Sequence, residues 1–237
     1  MKLRLTPRLR AVAALVPEGA KVADIGSDHA YVPVDLIRSG RAQLVIASDV
    51  HQGPVENARK VVAMAALEDR IEVRLGSGFE VYGPEEVDTA VLAGMGGFLI
   101  RDLILEAFPL VKTLKCLVLQ PMVAIRELRV WLLENGFEII EERVAQEGQK
   151  FYEIFSVRYT GISMLQVDFK TAEMGVDMFR SEDEIAMKYL AHRIRKTEGV
   201  LRALSQAKNS EKTEIGAFEA RLKLLKEVET CLSTQKK

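Results

Sequence analysis

Three acidic side chains in the first fifty residues, Asp24, Asp28 and Asp49, could hold a ligand that carries positive charge and hydroxyl groups. Asp24 lies near the end of the predicted buried strand Lys21–Ile25, and Asp28 lies in the tight turn that follows. Asp49 ends the next apolar strand, about 25 residues after Asp24. Where two such strands lie side by side, the first turn lets backbone approach a nucleotide and the second acid accepts hydrogen bonds from its ribose. The spacing therefore predicts a site for a nucleotide-like ligand.

The turn after the first strand departs from the dinucleotide-binding pattern G-x-G-x-x-G, because only Gly26 matches it. Asp28 and Tyr31 stand where the pattern has its second and third glycines. A carboxylate at Asp28 would repel a pyrophosphate, since anions at a helix N-terminus bind to bare amides and the positive end of the dipole. S-adenosylmethionine has no phosphate, and its sulfonium and ammonium groups suit Asp24 and Asp28. The turn therefore favours a methyltransferase over a dehydrogenase.

Alternating strands and helices must position these acids. The predicted strands are Lys21–Ile25, Leu44–Ser48, Ile71–Leu75, Asp88–Ala93, Lys115–Leu119, Phe137–Val144 and Phe151–Val157. The predicted helices are Pro7–Leu15, Tyr31–Ser39, Pro54–Ala66, Phe98–Phe108 and Ala124–Asn135. The alternation predicts a parallel sheet covered by helices on both faces, and the last two strands, which no helix separates, predict a terminal antiparallel hairpin. This is the Rossmann-like α/β fold, with a seven-stranded sheet, of class I methyltransferases.

The composition of the chain changes after Tyr159, where strand-like runs end and two long charged helices follow. We therefore expect a methyltransferase domain over residues 1–159 and a C-terminal α-helical domain over residues 160–237. Ser181–Glu184 reads as a capping box that opens the first long helix, and the short polar interval Ala207–Ser210 predicts that the two helices fold back on each other. The apolar stripes of both helices indicate a coiled-coil-like hairpin.

Bulk composition narrows the class of protein. Hydrophobic residues make up 48% of the chain, yet its longest apolar runs have strand length, so no membrane span is expected. Cys116 and Cys231 give no disulfide framework, and His29, His51 and His192 have no metal-ligand spacing. The basic N-terminus lacks the apolar core and cleavage site of a signal peptide. A cytoplasmic protein that binds no metal is the expectation.

Four segments of the chain resemble the bacterial tRNA (adenine-22-N1)-methyltransferases. These segments are Asp24–Pro33, Ala47–Asp49 followed by Gly53-Pro54, Ala93–Gly97 and Leu119–Met122. Their order and spacing, together with the helical C-terminal domain, extend the resemblance over nearly the whole chain. The resemblance implies methylation of N1 of an adenine in tRNA, at position 22 in the D-arm region.

The strand ends and the resemblance together imply a binding site for S-adenosylmethionine. Its expected residues are Asp24, Gly26, Ser27, Asp28, Asp49, Val50, Gly76, Ser77, Gly78, Gly94 and Met95. Asp24 would hold the methionine ammonium, and Asp49 would bind the ribose diol. Similar proteins usually carry Asp at the position of Ser77, where it bonds the adenine amino group. Ser77 is therefore expected to bind the cofactor more weakly, or through its backbone only.

Two residues of the turn, Asp28 and His29, are the candidates for catalysis. Asp28 would lie near the sulfonium or the incoming base, and His29 would position or stack on that base. Each has a structural alternative, because Asp is a favoured helix N-cap and a histidine beside a helix start is often only a hydrogen-bonded structural residue. Asp24 could likewise be an ordinary acid at a strand end.

A third group of residues is expected to contact the tRNA. They are Tyr31, Gly96, Gly97, Gln120, Pro121, Arg8, Lys188, Arg195 and Arg202. Gly94–Gly97 would form a backbone-lined floor for a flat base, or else only a tight turn. Although the net charge is −1, the N-terminus is basic, and Lys188, His192, Arg195 and Arg202 share one stripe of a helix. That stripe is either a track for phosphates or simply a solvated face.

Two other functions stay open at this point. A methyltransferase of the same fold could act on a small molecule and use the hairpin to dimerise. A non-catalytic RNA-binding or scaffolding protein could retain the cofactor pocket, although the presence of both Asp24 and Asp49 weighs against it. The expected assembly is a monomer or a weak dimer.

Overall fold

Seven strands form one mixed sheet in the computed structural model, in the order β3-β2-β1-β4-β5-β7-β6. The strands are β1 (Ala20–Ile25), β2 (Ala42–Asp49), β3 (Ile71–Leu75), β4 (Thr89–Gly96), β5 (Cys116–Val123), β6 (Phe137–Glu147) and β7 (Lys150–Tyr159). The first five pair in parallel, and β7 pairs antiparallel with both β5 and β6. The predicted fold class is confirmed, including the antiparallel hairpin at the edge.

Helices cover both faces of this sheet. They are α1 (Pro7–Leu15), α2 (Tyr31–Arg38), α3 (Gln52–Ala65), α4 (Gly97–Glu106), α5 (Phe108–Val111) and α6 (Ile125–Glu134). One apolar cluster includes Val12, Leu36 and Val62 from α1, α2 and α3, and the other includes Ile100 and Leu132 from α4 and α6. Among the residues that the structure describes, none of the helices combines the length and apolar composition needed to cross a membrane.

The connections reverse direction beside β1, and this reversal locates the site. The chain moves from β1 outward to β2 and β3, and then returns to the other side of β1 to form β4 and β5. In open sheets of this kind, ligands bind in the crevice outside the carboxyl ends of the strands where the order reverses. The crevice therefore lies at the ends of β1 and β4, where Asp24 and Gly94 lie.

Beside the crevice, β4 and β5 both continue past the ends that the sequence pattern predicts. β4 continues through Gly94 to Gly96, and Met95 and Gly96 pair with β5 across two register irregularities, so this segment is not only a turn. Gly94 has φ +81 within that irregular stretch, a conformation that favours glycine. β5 likewise continues through Pro121 to Val123, so Gln120 lies inside a strand and does not close it.

The structure describes residues 4–176, 178–179, 183–206 and 212–234, and the chain divides into the units Met1–Val167 and Asp168–Lys237. The change in composition predicts the boundary after Tyr159, eight residues earlier. Residues 160–167 belong to the first unit because the Thr160 amide donates to the Gly136 carbonyl at 2.8 Å, and the Met164 amide donates to the Leu133 carbonyl at 2.9 Å.

The second unit contains α7 (Phe169–Met174), α8 (Glu184–Gln206) and α9 (Lys212–Thr234). Buried residues of these helices form one apolar cluster, which includes Met174, Leu190, Ile194, Leu225 and Leu232. The two long helices were predicted. Ser181 and Glu182 of the predicted capping box, and the predicted turn Ala207–Ser210, lie outside the described residues.

Candidate functional site

Asp24 lies at the base of the crevice and is almost completely buried. It sits in β1 between Ala47 of β2 and Val91 of β4, and its exposed fraction is 6%. Burial raises the pKa of Asp24 from an ordinary value of 3.8 to about 6, and a hydrogen bond from Ser27 opposes part of that rise. No cation in the described parts of the chain pairs with this carboxylate. A buried acid in this state is a candidate to bind a positively charged ligand.

The turn after β1 brings bare backbone into the crevice. The amides of Gly26 and Ser27 both donate to the Ser48 carbonyl at 2.8 Å, which ties the ends of β1 and β2 together. Gly26 has φ +78, and a Cβ at this position would lie 2.5 Å from the Cε of Met95. Because any side chain here would strain the backbone and displace Met95, glycine allows the turn to approach the end of β4 closely.

The acid in that turn, Asp28, does not cap the following helix. The N-cap of α2 is Ala30, which has the left-handed φ of 51° and makes no side-chain capping bond. The side chain of Asp28 is 61% exposed, and its Oδ2 lies 3.2 Å from Nε2 of His29. The structural interpretation of Asp28 as an N-cap is therefore wrong, and its carboxylate is available at the mouth of the crevice.

His29 and Tyr31 form an aromatic pair beside Asp28. Their rings are stacked, with centroids 5.1 Å apart and an angle of 12° between planes. The His29 side chain is 43% exposed, and Tyr31 is also exposed. Neither ring is packed into the core, so both can meet a flat group that enters from solvent.

Asp49 ends β2, in the position expected for a ribose-binding acid. Its Oδ1 accepts a hydrogen bond from the His51 amide at 2.8 Å and lies 3.2 Å from Nδ1 of the same residue. The Gly76 amide donates to the Asp49 carbonyl at 3.0 Å, which joins the ends of β2 and β3. The carboxylate is thus oriented by its neighbours, while Val50 beside it is 53% exposed.

The turn after β3 contains the predicted residues Gly76, Ser77 and Gly78. A Cβ on Gly76 would lie 2.1 Å from Cγ1 of Val81, so the turn passes too close to Val81 for a side chain. Gly78 is buried and has φ +48. Ser77 is exposed, and its carbonyl accepts from the Glu80 amide at 3.0 Å. The structure thus brings Ser77 to the strand end next to Asp49, but its contact with a cofactor stays a prediction.

Gln120 connects β5 to β4 and α1 through its buried amide group. Its Oε1 accepts from the Gly94 amide at 3.1 Å and from Nη1 of Arg8 at 2.8 Å, and its Nε2 donates to the Pro121 carbonyl at 2.9 Å. The residue is 0% exposed. Both ends of the amide are therefore engaged in holding the crevice, and a direct contact between Gln120 or Pro121 and a base stays a prediction.

An exposed apolar rim on this edge of the sheet was not predicted from the sequence. Phe98 and Leu99 at the start of α4 are 51% and 52% exposed, and Met122 and Val123 at the end of β5 are 44% and 64% exposed. Gly97 permits this arrangement, because a Cβ there would lie 2.5 Å from the Ala124 carbonyl oxygen. The available signal was a pair of large apolar residues shortly after each predicted strand, Phe98-Leu99 and Met122-Val123.

The predicted basic stripe of the second unit contains charges of two kinds. Lys188 forms an ion pair with Glu184 at 2.5 Å, whereas Arg195 is exposed and pairs with no acid among the residues described for this unit. Burial lowers the pKa of His192, and the positive charges of Lys196 and Arg195 lower it further. His192 is therefore neutral at pH 7 and adds no charge to the stripe.

Clusters of at least three His, Cys, Asp or Glu side chains that could hold a metal ion do not occur within the described residues.

A methyltransferase domain model matches residues 5–155 of the chain. The chain is 33% identical to the tRNA (adenine(22)-N(1))-methyltransferase of Bacillus subtilis (strain 168) over 238 residues, which covers 96% of this chain and 98% of the relative.

Solved structures extend this similarity to both units of the chain. The crystal structure of the Bacillus subtilis m1A22 tRNA methyltransferase TrmK matches with a TM-score of 0.81 and 31% identity, covering 96% of this chain and 99% of that one. Streptococcus pneumoniae Sp1610, solved in complex with S-adenosyl-L-methionine, matches with a TM-score of 0.82 and 30% identity, covering 95% and 99%.

Proposed function

The chain belongs to the family of bacterial tRNA (adenine(22)-N(1))-methyltransferases, and we propose that it methylates N1 of adenine 22 in tRNA with S-adenosylmethionine as methyl donor. The observation that carries this proposal is Asp24, a buried carboxylate without a cationic partner among the described residues, at the point where the strand order reverses. The crevice around it has the charge that a sulfonium cofactor requires.

The residues at the strand ends fit S-adenosylmethionine group by group. Asp24 would hold the ammonium of the methionine part, and Gly26, which lacks a side chain, would let the turn lie close to that part beside Met95. Asp49 would accept hydrogen bonds from the ribose hydroxyls. Val50 would cover one face of the adenine ring, and Ser77 lies at the adjacent strand end.

Methylation of adenine N1 requires placement more than acid–base chemistry. The cofactor supplies a methyl group on a positively charged sulfur; the N1 lone pair forms the new bond, and the electron pair of the broken carbon–sulfur bond stays on sulfur. N1 has a free lone pair, so no base has to remove a proton first, and orientation supplies much of the rate. The product base becomes positively charged. Asp28, exposed at the mouth of the crevice, would stabilise that charge.

The target adenine must leave its stack to reach the crevice, at a cost of roughly a few kcal/mol. The aromatic pair His29 and Tyr31 would offer a stacking surface for the extruded base. The exposed apolar rim at Phe98 and Val123 would cover the bases next to it. Gly94–Gly97 would admit the base edge to backbone groups, because three of its four residues lack side chains.

The second unit, residues 168–237, would bind the tRNA rather than act in chemistry. Arg195 and Arg202 on α8 are exposed, and phosphate contacts of this kind supply most of the affinity for nucleic acid. The tRNA substrate implies a cytoplasmic location, and the assembly as a monomer or weak dimer remains a prediction that sedimentation of the full chain can test.

The test of this function is transfer of labelled methyl from S-adenosylmethionine to a tRNA transcript, followed by identification of the modified nucleoside. We expect 1-methyladenosine in the wild-type transcript and none in a matched transcript with guanine at position 22. Label in both transcripts would contradict the assigned position. Transfer to small acceptors but not to tRNA would support the small-molecule alternative, and cofactor binding without transfer to any acceptor would support the non-catalytic one.

A further inference from the structure

Arg8 lies on α1 and reaches the floor of the crevice. Its backbone amide donates to Oε1 of Glu147 at 2.9 Å, which anchors the start of the helix to β6. Its side chain is half-buried, with Nη1 donating to Oε1 of Gln120 at 2.8 Å and the guanidinium carbon 5.5 Å from the centre of the Tyr152 ring. These contacts fix the direction of the guanidinium group.

The fixed guanidinium lies against Gly94, at the end of β4. A Cβ on Gly94 would be 3.6 Å from Nη1 of Arg8, and the amide of Gly94 shares the Gln120 oxygen with that same nitrogen. The side chain of the neighbouring residue, Met95, lies close to Gly26 in the turn after β1. Arg8 is thereby placed at the end of β4, the strand that pairs directly with the Asp24 strand β1.

The guanidinium of Arg8 has no negatively charged partner among the residues that the structure describes. Its side chain contacts a neutral amide and an aromatic ring, and no carboxylate among the described residues pairs with it. Nη1 is engaged, while Nη2 and Nε make no hydrogen bond within the described chain. A guanidinium with a free edge presents paired donors that match the two oxygens of a carboxylate.

The crevice therefore carries one buried anion on β1 and one half-buried cation at the end of β4. An α-amino acid in its zwitterionic form presents an ammonium and a carboxylate on one carbon atom. We propose that Arg8 binds the α-carboxylate of the methionine part of S-adenosylmethionine while Asp24 binds its ammonium. This inference rests on the proposed function, and it reassigns Arg8 from the tRNA contacts expected from sequence to the cofactor site.

A phosphate of the tRNA is the competing ligand for Arg8. The half-buried position favours the carboxylate, because the guanidinium is held between Gln120, Tyr152 and the backbone of Gly94. A phosphate within a polynucleotide would have to bring its flanking sugars to the same recess. The arginines Arg195 and Arg202 of α8 are exposed and do not have this restriction.

Calorimetry without tRNA separates these ligands. The two probes are S-adenosylmethionine and its decarboxylated form, which keeps the sulfonium and the ammonium but lacks the carboxylate. The wild-type protein should prefer the carboxylated form. In Arg8→Gln, affinity for S-adenosylmethionine should fall by roughly 10- to 100-fold, the range for charge-assisted hydrogen bonds, while affinity for the decarboxylated form should change by less than about twofold.

Arg10→Gln is the matched control, because Arg10 lies on the same helix, is exposed and donates to the Leu5 carbonyl. It should keep the wild-type preference between the two probes. Thermal unfolding of each variant checks the fold. If Arg8→Gln does not fold, Arg8→Lys keeps the charge and loses the paired donors, and it should reduce the preference without abolishing it.

An equal loss of affinity for both probes would overturn the inference, since Arg8 would then act only by supporting Gln120 and Gly94. Unchanged cofactor binding with weakened tRNA binding would also overturn it, in favour of a phosphate contact. A wild-type protein that binds neither probe would contradict the proposed function itself, so the two failures are distinguishable.

Discussion

Two buried carboxylates, one in each unit of the chain, have opposite surroundings. Glu173 on α7 is 3% exposed and accepts from Nη2 of Arg193 at 3.0 Å and from Nη2 of Arg221 at 2.8 Å. Asp24 on β1 is 6% exposed, has a hydrogen bond from Ser27 and pairs with no cation of the described chain. Both have lost water, but only Glu173 has regained partners of opposite charge.

The difference distinguishes buried charges that stabilise the fold from buried charges that are available to bind a ligand. Removing an acid from water is costly unless a partner compensates it. Arg193 and Arg221 compensate Glu173, and so connect α7 with α8 and α9. In the free protein the desolvation of the Asp24 carboxylate is not compensated by a charged partner, and a bound cation would supply that compensation. The half-buried Arg8 is likewise without a charged partner among the described residues, and a bound anion would compensate its positive charge.

The largest effect on stability is expected at Glu173, whose charged partners are residues of the protein itself. Glu173→Gln would leave two arginines around a neutral amide, and breaking a buried ion pair costs roughly 3–5 kcal/mol, here near 3 because Arg221 is about one-third exposed. Chemical denaturation followed by circular dichroism should show the second unit unfolding at lower denaturant.

Glu184→Gln is the control for that experiment, since it breaks the exposed pair with Lys188 and should leave the unfolding transition unchanged. A wild-type transition in Glu173→Gln would show that the buried cluster is not what joins the helices of this unit.

Asp24→Asn should change stability in the opposite direction. The pKa of Asp24 is raised from 3.8 to about 6, so in the free protein its ionisation costs stability above pH 6, and the cost disappears below pH 4. The neutral variant should therefore be more stable than wild type by up to roughly 3 kcal/mol at pH 8, and by nothing near pH 4. Denaturation of the cofactor-free protein at several pH values measures this difference.

The same variant should bind S-adenosylmethionine more weakly than wild type at pH 8. Asp69→Asn, at an exposed loop acid, is the control and should alter neither quantity. If Asp24→Asn is less stable than wild type at pH 8, the carboxylate has a structural partner and the comparison with Glu173 fails.

Asp28 tests the exposed part of the same crevice. Because Asp28 does not cap α2, Asp28→Ala should leave the fold intact and lower the single-turnover rate of methyl transfer by at least about tenfold, which corresponds to about 1.4 kcal/mol of transition-state stabilisation. Rapid-quench assays at saturating cofactor and tRNA measure this rate. An unchanged rate would remove Asp28 from the chemical step.

The sequence predicted the parts of the site that depend on local pattern. A buried strand ending in an acid places Asp24 and Asp49 without further information, because parallel strands meet at one edge. The continuation of β4 through Gly94 was not predicted, since glycine normally indicates a turn and the strand is extended by pairing with Pro121 and Val123 of β5. The capping role of Ala30 was missed for a similar reason, because alanine rarely adopts the left-handed conformation.

Contacts between residues that are distant in the chain could not be predicted from the sequence pattern. Arg8 and Gln120 are 112 positions apart, and no local pattern around either residue predicts their contact. The same holds for Glu173 and its arginines, and for the backbone bonds that join residues 160–167 to the first unit. Partnered and unpartnered charges look alike in a sequence, so only the fold distinguishes them.

The smallest effect is expected on the surface of α8, where a basic residue without an acid partner can be compared with one that has such a partner. Arg195 is exposed without an acid partner in the described unit, so it can contact a phosphate at no internal cost. Lys188 is held by Glu184 at 2.5 Å, so its charge is partly compensated already. Arg195→Ala should weaken tRNA binding by roughly sixfold near 0.1 M salt, because one phosphate contact is lost.

The salt dependence of binding tests this assignment, because each phosphate contact contributes about 0.7–0.9 to the slope of log affinity against log salt. Arg195→Ala should flatten that slope by about this amount, whereas Lys188→Ala, the matched control on the same helix, should change it by less. Filter binding of tRNA at four salt concentrations measures both slopes. Equal slopes in both variants and wild type would mean that this stripe is only a solvated face. The second unit would then contact the tRNA elsewhere or serve to join two copies of the chain, and sedimentation would distinguish these outcomes.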